Sequence, residues 1–104
     1  MFTFVESVAF ERHRGVYLDD DEYAELQQYM MQNPELGKLV PGSGGVRKMR
    51  WRRPGMGKQG GLRIIYYVQY EPNEVGMLAL YSKSVNDNIP GQVLRQILEA
   101  FRND

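Results

Sequence analysis

The sequence predicts a single α+β domain over residues 1–104: a small antiparallel β-sheet with helices packed on it, in the order β-α-α-β-β-β-α. Three observations carry this reading. The second half holds three runs rich in β-branched and aromatic residues, VRKMRWR (46–52), LRIIYYVQY (62–70) and VGMLALYSK (75–83), the composition that suits a pleated, partly buried surface. Flanking them, residues 19–33 and 90–101 carry apolar residues at helical spacing between start and stop signals. The chain has 104 residues, 42% hydrophobic and 25% charged, enough for one core and not for two.

Taken in order, FTFVES (2–7) sets Phe2 and Phe4 against Thr3 and Val5 and predicts a first strand. Val8 to Tyr17 predicts a short helix with Val8, Phe10 and Tyr17 available for packing. In LDDDEYAELQQYMMQNP, Asp19 with Glu22 three residues on resembles a capping box. The acidic first turn suits the helix dipole. Tyr23, Leu26 and Met30 form the inward stripe, and Asn33-Pro34 stops the helix. ELGKLVPGSGG (35–45) predicts a turn-rich connection. In 46–52, Met49 and Trp51 share one face and Lys48, Arg50 and Arg52 the other. The 62–70 run predicts a strand covered on both faces. EPNE (71–74) puts Pro72 at the second position of a tight turn. Pro90 opens a last helix with Val93, Leu94, Ile97, Leu98 and Phe101 along one stripe.

Charge is the second theme. Formal net charge is zero, yet residues 46–63 hold seven cations and no acid, whereas 1–45 hold eight acids and three bases. Such a segment is an electrostatic footprint for a polyanion. With no cysteine and one histidine, His13, a thiolate metal site, a disulfide framework and a cysteine nucleophile are excluded, and no metal or cofactor is expected. No basic n-region or membrane-length apolar run occurs, so a cytoplasmic protein without a membrane partner is expected.

Hairpin geometry gathers the cations. A turn centred between Pro72 and Asn73 places Arg63 opposite Ser82, beside Tyr81 and Lys83, and brings Arg52, Arg53 and Lys58 to the same sheet edge. The glycines at 55, 57, 60 and 61 let backbone approach a ligand closely. GMGKQGG is not a Walker loop, because it lacks GKS or GKT and lies between strands. RNA phosphodiester cleavage needs a base for the 2′-OH, cations for charge developing on the phosphate, and a proton donor for the leaving oxygen. Crowded cations favour the neutral form of a lysine among them, which suits Lys58 or Lys83 to the base role. Trp51, Tyr66 and Tyr67 fit core positions better than stacking platforms. Arg63, a charge at the head of an apolar strand, is costly there unless it has a task.

GGVRKMRW, GMGKQGGLRIIYYV and LALYSKS resemble the corresponding stretches of HigB-type toxins of the RelE/ParE superfamily. The likeness extends to FVES, NPELG and the C-terminal amphipathic helix. It implies a β-sheet with helices on one side and a ribosome-dependent mRNA endonuclease, an mRNA interferase of a bacterial type II toxin–antitoxin system. The implied partners are a cognate antitoxin, the 30S decoding site and mRNA. The family's catalytic positions match Lys58, Arg63 and Lys83, with Tyr81 in support; Arg47, Lys48, Arg50, Arg52 and Arg53 are expected to bind RNA. RelE itself has an arginine and then a tyrosine after the position of Lys83, where this chain has Ser84 and VNDNIP; Tyr81, Arg52 or Arg53 are the candidates to replace them. ParE-type relatives share the fold and poison DNA gyrase, which keeps that activity as the alternative. A non-catalytic RNA-binding module is a further one.

Overall fold

A computed structural model describes residues 1–52, 61–83 and 88–103. The elements are β1 (Thr3–Glu6), α1 (Val8–Tyr17), α2 (Asp20–Gln32), β2 (Lys38–Leu39), β3 (Arg47–Arg52), β4 (Gly61–Gln69), β5 (Glu74–Ser82) and α3 (Gly91–Arg102). The α+β class is the one expected, with three differences. The five-stranded sheet has the order β1-β5-β4-β3-β2. It is mixed rather than antiparallel, because β1 pairs parallel to β5, Phe4 opposite Val75. The connection at 35–45 contains a further two-residue strand, β2, paired with β3.

The helices lie on both faces rather than one. Leu62, Ile64 and Tyr66 of β4 point to the side covered by α1 and α2, where they meet Phe10, Leu18, Tyr23, Leu26 and Met30. Ile65, Leu78 and Tyr81 point to the other side, where Leu94 and Leu98 of α3 cover them. Two-sided burial of β4 is therefore as the apolar run predicts. Asp19 caps α2, its carboxylate accepting from Glu22 N–H at 2.8 Å, and Tyr23, Leu26 and Met30 are its buried stripe. Within the predicted α1 stripe, Phe10 is buried but Val8, the first residue of the helix, is 67% exposed. Close packing seats α3: a side chain at Gly76 would come within 2.8 Å of the Phe101 ring, so glycine is what lets the helix approach.

The β4–β5 hairpin corrects the predicted register. Gln69 pairs with Glu74, which places Pro72 third in the 70–73 turn, after a cis peptide bond, rather than second. The pairing then slips by one residue between Ile65 and Tyr66, because Leu78 has no partner on β4. This is a β-bulge, which reverses the facing of every residue beyond it. Arg63 consequently faces Tyr81, with Leu62 opposite Ser82. Ser7 closes the bulge: its hydroxyl donates to Leu78 O at 2.7 Å and accepts from Phe10 N–H at 3.0 Å as the cap of α1.

Candidate nucleic-acid interface

Strand pairing builds one continuous row of polar side chains on the α3 side of the sheet. Directly opposed residues of antiparallel strands share a face, and Lys38 pairs with Lys48, Arg50 with Arg63, and Arg63 with Tyr81. Lys48 and Arg50 are two apart on β3 and so share that face as well. Two adjoining concavities open on it. One, about 600 Å3, is lined by Lys38, Lys48, Arg50, Arg63 and Asn88 together with Leu36 and Gly37. The other, about 250 Å3, is lined by Arg50, Trp51, Arg52, Gly61, Arg63 and Lys83. Arg50 and Arg63 form the wall common to both. Among the described residues, no acid lines either one.

Arg63 stands at the seam where the apolar core under α3 gives way to the open clefts. It is 5% exposed, whereas Arg50, Arg52 and Lys83 are exposed. A guanidinium so sequestered from water acts in a lower dielectric than its exposed neighbours, so its field on a bound anion is stronger. Tyr81, opposite Arg63 on β5, is buried in the core beneath α3 and lines neither cleft. Lys83 follows β5 and reaches the smaller cleft, its backbone N–H donating to Gly61 O. Arg53 and Lys58 lie outside the described residues.

Arg47 goes elsewhere. It lies on the opposite face of β3 from Lys48 and Arg50, and its Nη1 donates to the carbonyls of Glu35 (3.0 Å) and Gly37 (2.7 Å). Its guanidinium holds a loop in place. Tyr66 does the same from within the core, its hydroxyl donating to Pro34 O (2.7 Å) and accepting from Gly37 N–H (2.9 Å). Burial pushes that hydroxyl's pKa up from its ordinary value. A side chain at Gly37 would meet Tyr66 Oη at 2.7 Å, so only glycine fits the contact. Tyr70 adds a third tie, donating to Glu35 Oε2 at 2.6 Å. These bonds fix the 34–37 segment, and through it the position of Lys38.

The aromatic residues fall where the core reading put them. Trp51 packs on the α2 side against Tyr29, ring centroids 5.6 Å apart; Tyr66 is fully buried; Tyr67 lies under Arg102, which stacks on its ring and hydrogen-bonds its hydroxyl. Of the three, Trp51 also reaches the lining of the smaller cleft; Tyr66 and Tyr67 line neither. Two lining residues were not anticipated. Lys38 belongs to a strand too short to show a period, and Asn88 precedes α3 with no motif to mark it. No helix among the described residues is long and apolar enough to cross a membrane. No protein-family model matches the chain.

Proposed function

We propose that this protein is an mRNA interferase of the HigB type within the RelE/ParE superfamily, cutting messenger RNA on the ribosome and silenced by a cognate antitoxin. The observation that carries the reading is the nearly buried Arg63 in the wall shared by two clefts whose described lining includes cations and no acid. The quoted motifs add the family. In the reaction we assign, a ribose 2′-oxygen attacks the adjacent phosphorus and the bond to the 5′-oxygen breaks. Arg63 stabilises the charge on the non-bridging oxygens. Lys83, or Lys58 from the glycine-rich segment, takes the 2′ proton, and a second cationic side chain returns a proton to the leaving 5′-oxygen. The products are a 2′,3′-cyclic phosphate and a 5′-hydroxyl.

The test is single-turnover cleavage on saturating programmed ribosomes, with 5′ ends mapped by primer extension. Arg63→Met keeps an unbranched apolar stem and removes the guanidinium; it should slow the step by ~100- to 1000-fold. Arg52→Ala, at an exposed position, should lose about tenfold or less. Equal losses in the two variants would reduce the face to a docking surface. Products with a 3′-hydroxyl would contradict attack by the 2′-oxygen. A supercoiling defect without new mRNA ends would shift the reading to a gyrase poison.

A further inference from the structure

We infer that the larger cleft, between the 36–38 segment and β3–β4, is a second phosphate subsite that holds the backbone of the nucleotide next to the scissile one in single-stranded RNA. The inference rests on the reading of the Arg63 site as the reacting centre and extends it outward to the sheet edge.

The sheet itself supplies the argument. Two pairs of cations stand directly opposite one another in succession on one face, Lys38 with Lys48 and Arg50 with Arg63. An anion bound at either pair is met by two cations at once. Their members on β3, Lys48 and Arg50, are two residues apart, about 6.6 Å at the usual rise per residue, a spacing comparable to that of successive phosphates along an extended strand. The cleft's volume, about 600 Å3, lies within the roughly 300–1,000 Å3 of small-ligand sites. From β2 to β4 it spans two inter-strand spacings, roughly 10 Å, room for one nucleic-acid strand. Asn88 contributes an amide able to donate and accept, suited to a ribose or base edge, and Leu36 an apolar wall. Lys38 is also held in advance, because Tyr66, Arg47 and Gly37 fix the segment that precedes it. Such preorganisation would serve little purpose for a solvated surface lysine.

The experiment is fluorescence anisotropy of the full chain with a labelled five-nucleotide single-stranded RNA bearing 2′-O-methyl groups, which cannot be cut by its own 2′-oxygens, across a salt series. Lys38→Ala should weaken binding by about tenfold, the loss of one charged contact, and lower the slope of log K against log salt by about 0.7. Asn88→Ala should weaken binding and leave the slope unchanged. Lys38→Arg, which restores the charge and reports on folding, should recover affinity. Arg12→Ala removes an exposed cation from α1 on the opposite face and sets the baseline. If Lys38→Ala does no more than Arg12→Ala, or if an RNA duplex of equal length binds as tightly as the single strand, the subsite is refuted. If the Lys38 pattern holds while the unsubstituted protein produces no new mRNA ends on programmed ribosomes, the subsite stands and the nuclease assignment alone fails.

Discussion

A single hydroxyl, that of Ser7, links the start of α1 to the register of the candidate site. It caps the helix and also donates to the Leu78 carbonyl at the bulge. Without that bulge Leu80 rather than Tyr81 would stand opposite Arg63, and the tyrosine would turn to the α1–α2 side. Ser7→Ala removes a cap and leaves a carbonyl short of its donor, so it should destabilise by about 2–3 kcal/mol. Ser7→Thr should retain most of the stability. Urea unfolding midpoints check both; a loss below about 0.5 kcal/mol for the alanine variant, smaller than an ordinary cap, would mean that the bulge does not depend on this residue. Arg63 carries a signal of its own. Its misfit in the run LRIIYYV was visible in the sequence, and the fold explains it by setting the arginine at the rim of the core. Arg47 was not distinguishable from Lys48 by composition; only its phase on β3 and the carbonyls at 35 and 37 separate the clamp from the cleft.

Among the elements, those built from local signals were legible and those built from distant pairing were not. Asp19, Tyr23, Leu26 and Met30 announce α2, and the runs 46–52, 62–70 and 75–83 announce three strands to within a residue of their observed ends. The parallel pairing of β1 with β5 joins segments some 70 residues apart, and no local period records it. VGMLALY is apolar on both faces, so it contains no alternation for the bulge at Leu78 to interrupt. β2 has two residues, below any detectable period, and the candidate site lost Lys38 with it. That short strand also carries a stability prediction. If Lys38 and Lys48 are juxtaposed for an anion rather than for the fold, Lys38→Glu should stabilise the free protein by about 0.2–1 kcal/mol, because it replaces a repelling cross-strand pair by an attracting one, while weakening RNA binding. Melting temperature and anisotropy read on the same variant should move in opposite senses. A variant that lost stability and affinity together would mark Lys38 as a structural residue.

Across the whole molecule the sheet separates charge. The acids of α1 and α2, among them exposed Glu11, Asp20, Asp21 and Glu25, lie with the helices on one side, and the row Lys38, Lys48, Arg50 and Arg63 lies on the other. Zero net charge therefore says little about what the cleft face attracts. At physiological ionic strength the Debye length is about 8 Å, while a packed layer of secondary structure is already about 10 Å thick, so the acidic helices are largely screened from a ligand in the cleft. Replacing Asp21 and Glu25 together by Lys raises the formal net charge from zero to +4, a larger change than any single cleft substitution. It should nevertheless alter affinity for single-stranded RNA at about 0.15 M salt by less than Lys48→Ala does, and should strengthen binding appreciably only near 0.01 M, where the Debye length reaches about 30 Å. The measurement is a pair of anisotropy titrations at the two salt concentrations for the doubly substituted protein, for Lys48→Ala, and for the three changes combined. If the helix substitutions restored the affinity lost with Lys48 at the higher salt, attraction by net charge would account for binding, and the ordered row of cations on β2, β3 and β4 would have no special part in it.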